Sequence, residues 1–587
     1  MAKKLGLCLS GGGHRATAFS LGALMYVVES GRNTDVSAIS SVSGGSITNA
    51  FIATLPKPFS EYTADQFEVE AAKFASQIAG SPRWWNVAVL VYLALFIPWV
   101  CESYKHFPNN LLSTYHLYFI PPALALVCLI GPLSRGTLWG WWGTWLYCAL
   151  LIFAIAWNIV FAVAWYVGTA WPRGLPGWSL LLLAALVLLA FFARGQIAEW
   201  AFAATINKGM DDREGAGRPL KSLPSTVRHV FCATELHSGR HAYYSHDLIY
   251  VPFVGVAEPV GMKLSTAVQV SANFPGAFPA RVLRRRRRQE FVQGSGFQLF
   301  TPHLFALTDG GVYDNTGASW FLEAKERPDG ADRWRREDLR SNPPPKSGLT
   351  LMPESVRARA AAQIEEMRSW PDQLIVLNAS EPDPWRTVGG ALVPVWGEVK
   401  HLLYTTLITY AVRGREQAKE QMHRFLRPSV RRNLQGVAVS AASDPAHLAI
   451  ALSQGHGEWS YDDILRDAEV DYPVIARARA VNNAIMKRVE DITEAFRYPQ
   501  IVLGGTALKY SYVPTTLRPL GESDTARLLW NGYWQTMVNA AVMLDDCPIL
   551  DPSPPDFARF QALASGRSRP RPPISQGGAD ATPPVVR

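Results

Sequence analysis

Leu5 to Leu9 is a short apolar run without polar alternation, and Ser10-Gly11-Gly12-Gly13 follows it directly. A strand with one face in water alternates, whereas one covered on both faces does not, so this run predicts a buried parallel strand. Beyond the glycines, the stretch from Arg15 to Glu29 predicts an amphipathic helix. The same order recurs at once: Val36 to Val42 is strand-like, Ser43-Gly44-Gly45 is a turn, and Ser46 to Leu55 resumes a helical pattern. Strand, glycine turn and helix in series predict an α/β fold with a mainly parallel sheet.

Long apolar segments then interrupt that pattern: Trp84 to Cys101, Tyr115 to Leu133, Trp145 to Trp171 and Leu175 to Phe192. Each is near or above the ~18 residues that a tilted helix needs to cross ~30 Å of hydrocarbon. Trp84, Trp85, Trp139, Trp141, Trp142, Trp171 and Trp178 lie around their ends, where aromatic rings rest at headgroup level. A buried helical core is the competing reading. Charged residues are missing from whole segments rather than from one face, which favours a bundle of about four transmembrane helices. Pro98, Pro121 and Pro122 would kink spans, and one re-entrant hairpin is compatible with them.

After Arg194 the soluble pattern returns. Val227 to Thr234 is strand-like, Leu264 to Ala280 is rich in small residues and proline, Phe305 to Leu307 runs into Thr308-Asp309-Gly310-Gly311, and Leu374 to Asn378 is another buried-strand run. The expected organisation is a catalytic domain in two parts, 1–80 and 200–325, split by a transmembrane insertion at 84–193. An exposed, charged, proline-containing insertion at 326–360, a C-terminal part with accessory helices at 361–550 and a disordered tail at 565–587 complete it. No internal repeat is visible.

The apolar fraction of 48% is ordinary on average, so composition matters only through the concentration of apolar residues between Trp84 and Phe192. A net charge of +8 suits contact with anionic surfaces, lipid or nucleic acid, and no nucleic-acid module motif is present to favour the latter. Cys8, Cys101, Cys128, Cys148, Cys232 and Cys547 lie far apart without metal-site spacing, so no disulfide framework and a reducing compartment are expected. The apolar run at the N-terminus ends at Ser10, too short for a secretory signal, and the N-terminus is expected to stay where it was made.

Three glycine-bearing turns carry candidate chemistry. Ser43, in Ser41-Val42-Ser43-Gly44-Gly45, follows a strand and precedes a helix, the setting of a nucleophile elbow whose small neighbours permit the tight turn. Gly11, Gly12 and Gly13 let backbone N–H groups approach an oxygen at a helix start, as an oxyanion hole requires. A nucleotide phosphate loop is the alternative, but His14-Arg15-Ala16 stands where a P-loop has its lysine and hydroxyl residue. Asp309-Gly310-Gly311 ends a strand, so its carboxylate can project from the same sheet edge as Ser43 and accept the hydroxyl proton, although such a tripeptide is often only a turn.

Together these elements resemble the patatin-like phospholipase family. The resemblance rests on the glycine turn with Arg15, the Ser43 elbow, the Ala233-Thr234 strand, Ser271-Ala272-Asn273-Phe274-Pro275-Gly276-Ala277-Phe278-Pro279 and Asp309-Gly310-Gly311-Val312-Tyr313-Asp314-Asn315, in the family's order. It covers about residues 5 to 320 once the apolar insertion is removed, with weaker similarity to about Leu544. The resemblance implies a three-layer fold and a Ser-Asp dyad without cofactor or metal. Ser43 would form the acyl-enzyme, Asp309 would be the base, and Gly11, Gly12 and Gly13 with Arg15 would form the oxyanion site. Ser41 stands where the family usually has a glycine, and Ala16 replaces another frequent glycine.

Ser43 and Asp309 flank the apolar insertion, so a shared active site requires an even number of crossings, which four spans satisfy. Arg83, Arg135, Arg194 and Lys208 on the catalytic side, against Lys105 and Arg173 opposite, bias that side toward the cytoplasm. Arg284, Arg285, Arg286, Arg287 and Arg288 form an unbroken basic run that is either a solvated loop or a contact with anionic headgroups, each arginine worth roughly 1 kcal/mol. His14, beside the glycine loop, is expected to position backbone or stay exposed rather than act as a base, and no metal-ligand cluster is visible. The expected activity is hydrolysis of carboxylic esters in membrane phospholipid or lysophospholipid, with the bilayer as partner, no nucleic acid, and a homo-oligomer compatible with all of this. The alternatives are an α/β-hydrolase triad using His401, His423, His447 or His456, and a non-catalytic membrane anchor, pore or lipid-binding platform.

Overall fold

A computed structural model describes residues 3–80, 218–284, 304–325, 371–379, 413–454, 472–496 and 520–568, apart from 238, 252–254, 276–279, 415, 427–433, 442–446 and 552–554. The strands are β1 (Leu5–Leu9), β2 (Val36–Ser41), β3 (Arg228–Glu235), β4 (Arg240–Tyr244), β5 (Ile249–Val251), β6 (Gly255–Ala257), β7 (Arg281–Arg284), β8 (Leu304–Asp309), β9 (Gln373–Asn378) and β10 (Gln435–Ser440). The helices are α1 (Gly13–Glu29), α2 (Gly44–Ala53), α3 (Ala64–Ala79), α4 (Leu264–Ser271), α5 (Ser319–Lys325), α6 (His447–Gln454), α7 (Tyr472–Phe496), α8 (Glu522–Met543) and α9 (Phe557–Ala564). The chain is thus mixed α/β, and among the described residues the strands form one sheet.

The heart of that sheet is the parallel array β10-β9-β1-β2-β3. β1 is paired on both edges and buried at every position, which is why its sequence lacks alternation. Beyond β3 the sheet turns antiparallel through β4, β5 and β6. β3 also pairs antiparallel with β8, and β8 with β7. The short connections of this half match hairpins, which need no crossover helix.

The helix after the glycine turn differs from the amphipathic expectation. Residues from Gly13 to Val28 are buried around its whole circumference, because α8 from the far end of the chain packs along it as well as α2 and α3. A Cβ on Gly22 would lie 2.0 Å from the Leu529 carbonyl oxygen, and one on Gly532 2.0 Å from that of Phe19. These reciprocal glycines bring the two helix backbones into direct contact. Arg559 of α9 closes the assembly by pairing with the buried carboxylates of Glu29 and Glu68 on α1 and α3. The region 520–568 therefore belongs to the same core as the first strands.

Among the described residues no helix is long and apolar enough to cross a membrane. The four candidate spans, the 326–360 insertion, residues 569–587 of the tail and Arg285 to Arg288 lie outside the described residues.

Candidate active site

Ser43 sits in the bend between β2 and α2 with φ 49° and ψ −117°, and among the described residues it alone has positive φ without being glycine. Such a conformation costs on the order of 1–3 kcal/mol and persists only where the surroundings over-determine it. They do so here. Val42 N–H donates to the Leu9 carbonyl at 2.9 Å, Ser43 N–H to that of Ser271 at 3.1 Å, and Gly45 N–H to that of Ser10 at 3.1 Å. A Cβ on Gly44 would lie 1.9 Å from the Gly13 carbonyl oxygen, and one on Gly45 2.4 Å from that of Leu9. The elbow and the glycine loop therefore touch backbone to backbone, which requires both glycines.

Ser41 gives a physical reason for its departure from the glycine expected there. It is fully buried, its hydroxyl donates to the Val230 carbonyl at 3.0 Å, and it accepts from Ser46 Oγ at 3.0 Å and from Asn49 Nδ2 at 2.8 Å. Ser46 Oγ also meets Ser271 Oγ at 2.8 Å, and Ser271 Oγ donates to the Cys232 carbonyl at 2.6 Å. A polar web under the elbow thus ties β2, α2, β3 and α4 together.

The glycine loop lies beside Ser43. Gly12 and Gly13 hold φ of 141° and 61°, and the first backbone bond of α1 is the 3.5 Å contact from Ala16 N–H to the Gly12 carbonyl. The N–H groups before Ala16 are the ones a helix leaves without an intrahelical acceptor. Gly11 N–H donates to the Asn315 carbonyl at 2.9 Å, which ties the loop to the stretch after Asp309. Arg15 braces the same loop. Its buried Nε donates to the Ala379 carbonyl at 2.8 Å, while Ala379 N–H donates to Ser10 Oγ at 2.7 Å, pinning the loop to the end of β9. In Ser10–Gly13 and Ser41–Ser46 only Gly12 and Ser43 are partly exposed, so solvent reaches the loop and elbow at these two residues.

The register of β3 explains how Asp309 arrives. β4 occupies one edge of β3 from Phe231 to Glu235, leaving β2 and β8 to share the other. β2 ends with Ser41 opposite Phe231, and β8 comes from the opposite direction to end with Asp309 opposite Ala233. Those positions are about 7 Å apart along the strand, so the turns carrying Ser43 and Asp309 meet. Gly310 permits the junction: a Cβ there would stand 2.3 Å from the Cys232 carbonyl oxygen and 3.2 Å from Val42 Cγ1.

Asp309 is buried. Its Oδ1 accepts from Gly311 N–H at 2.8 Å, and its Oδ2 has no partner of full hydrogen-bond geometry. Burial pushes the carboxyl up to about 7, with the Gly311 N–H and the nearby Ser43 hydroxyl pulling the other way. The Ser43 hydroxyl is thus close enough to act on the carboxyl while standing outside full hydrogen-bond geometry. A carboxyl poised near neutrality is suited to exchanging a proton there.

Asn315, whose carbonyl receives Gly11 N–H and whose side chain fills the space beside Gly11, stood in the sequence stretch after Asp309 without a role of its own. Ser271 and Thr234, which hold the turns from α4 and β3, stood in stretches that carried the family resemblance without roles of their own, and His241 on β4 carried no sequence signal. No histidine hydrogen-bonds Ser43 or Asp309 among the described residues. His14 is buried in the first turn of α1, His423 and His447 lie in helical segments, and His401 and His456 lie outside the described residues. Arg284 ends β7. Among the described residues no His, Cys, Asp and Glu group could hold a metal ion. No protein-family model matches the chain, and no curated protein matches it.

Proposed function

We propose that this chain is a patatin-like serine acyl hydrolase that cleaves carboxylic esters of membrane phospholipid or lysophospholipid. The observation that carries the reading is the meeting of Ser43, strained at φ 49°, with the buried carboxyl of Asp309. Ser43 Oγ attacks the acyl carbonyl while Asp309 Oδ2 takes the hydroxyl proton. The N–H groups of Gly12 and Gly13, at the positive end of α1, stabilise the oxyanion of the tetrahedral intermediate. Asp309 returns the proton to the departing alcohol oxygen, leaving an ester of the fatty acid with Ser43. Water then adds to that ester, Asp309 accepting its proton, and the fatty acid departs as the Ser43 hydroxyl re-forms. No step requires a cofactor.

The apolar segments within 84–193 fit a membrane anchor for this domain, with the catalytic part on the cytoplasmic side and the Arg284 to Arg288 run facing anionic headgroups. A multi-pass insertion would keep the esterase at its substrate. The test is fatty-acid release from mixed phospholipid vesicles by detergent-purified protein, beside Ser43→Ala and Asp309→Ala variants of equal yield and folding. Loss of release in both variants is expected. Equal release by all three would remove the dyad and leave a membrane-bound binding platform.

A further inference from the structure

The peptide group between Gly310 and Gly311 is held at both ends. Its N–H donates to Asp309 Oδ1 at 2.8 Å, and its carbonyl lies 2.8 Å from Nε2 of His241. A carbonyl only accepts, so Nε2 carries the proton. Nδ1 lies 2.9 Å from Ser319 Oγ, which lies 3.1 Å from Tyr243 OH. With the neutral imidazole accepting at Nδ1, the donors align in one direction: Tyr243 to Ser319, Ser319 to His241, His241 to the peptide, and the peptide to Asp309. The ring is fully buried, set edge-on against Tyr243 and tilted against Tyr313. Its strand neighbour is Thr234, whose hydroxyl donates to the Asp309 carbonyl at 2.9 Å.

We infer that His241 is a positioning residue for the base: it orients and polarises the Gly310–Gly311 peptide and thereby strengthens the bond that holds Asp309 as a carboxylate. The inference rests on the role proposed for Asp309. A donor on the carbonyl side of a peptide makes its N–H a better donor, by an order of 10–30% per bond in a linked chain. An N–H to a carboxylate favours the ionised form. His241 thus opposes burial, which disfavours the ionised base. Among the described residues the charged or titratable groups around this turn include Cys232 and Glu235 on β3, Arg240 and Tyr243 on β4, Tyr313 and Asp314 beyond it, and Arg413, which donates to the Val312 carbonyl. None contributes to the shift of Asp309, which traces to burial, the Gly311 N–H and the Ser43 hydroxyl. The Gly310–Gly311 peptide is the hydrogen-bonded link from His241 to the base.

The test uses the full chain in detergent, as wild type, His241→Phe, His241→Gln and His241→Asn, each also carrying Asp309→Asn. Phe keeps a ring without a donor, Gln carries an amide donor near the place of Nε2, and Asn is too short to reach it. Two readouts are taken: the acidic midpoint of kcat/KM for fatty-acid release, and the pH at which the difference in urea stability between each protein and its Asp309→Asn partner stops growing and becomes constant. With His241→Phe both midpoints should rise by about one pH unit, and kcat at pH 6.5 should fall about tenfold with KM little changed. Gln should recover most of the shift and Asn little. Should the Phe protein not fold, the difference between Gln and Asn decides in its place. Unchanged midpoints in folded His241→Phe, or equal behaviour of Gln and Asn, would overturn the inference. Absence of turnover in every form, wild type included, would instead remove the hydrolase reading, and the stability comparison would still decide whether His241 acts on Asp309.

Discussion

Replacing Asp309 by asparagine removes a charge that the fold disfavours, and the consequence should be measurable without any substrate. The carboxyl rises from its ordinary 3.8 to about 7 because burial strips water from the ionised form. That is roughly three tenfold steps in proton affinity at about 1.4 kcal/mol each, so the folded state forfeits up to about 4 kcal/mol when this group must ionise. The sign follows from proton counts. Between about pH 4 and 7 the folded protein retains a proton that the unfolded chain has released. Wild-type stability attributable to this group is therefore full below the unfolded value, declines as pH rises, and stays low above about 7. Asparagine keeps the acceptor for Gly311 N–H and does not titrate. Urea unfolding of both proteins in one detergent, followed from pH 4.5 to 8.5, isolates the group because other contributions cancel in the difference. The asparagine variant should gain on wild type across that window, by up to about 4 kcal/mol, and then hold a constant offset. A difference independent of pH, or one that favours wild type increasingly as pH rises, would refute the placement of an isolated carboxyl in this pocket.

The same carboxyl predicts the activity profile: fatty-acid release should fall as pH drops below about 7, because a protonated Asp309 cannot accept from Ser43. A profile flat to pH 5 in kcat/KM would contradict it. Ser43→Gly should relieve the positive φ and make the protein more stable than Ser43→Ala by about 1 kcal/mol while leaving it inactive, which denaturant midpoints of the two inactive proteins can check. Gly22→Ala sets a methyl carbon against the Leu529 carbonyl and should cost about 2–3 kcal/mol, seen as a lowered melting temperature and earlier protease cleavage in α8.

What could be read from the chain was local. β1 was legible because a doubly covered strand is a short apolar run, and both β1 and β2 are followed by glycines that fix the next turn. The elbow was legible for the same reason, although the strain at Ser43 appears only in three dimensions. The approach of Asp309 was expected from its place at a strand end and from the family resemblance. Its physical basis is that β2 stops at Ser41 and β8 takes over the vacated edge of β3, which no local pattern encodes. The amphipathic expectation for the first helix failed because its partner, α8, lies about 500 residues away, and because Thr17 satisfies its hydroxyl on backbone carbonyls inside the core. The Gly11 N–H was likewise engaged by a carbonyl some 300 residues away, at Asn315. Distance along the chain, more than weak propensity, separates what was readable from what was not.

The central claim is that Ser43 is a nucleophile activated by Asp309. Reaction with a fluorophosphonate probe, followed by peptide mapping, tests it most directly because the probe records nucleophilic attack whatever the natural lipid is. A single adduct on Ser43, absent from Ser43→Ala and formed about a hundredfold more slowly in Asp309→Asn, is the predicted result. An adduct on another serine, or labelling that persists unchanged in either variant, would contradict the account.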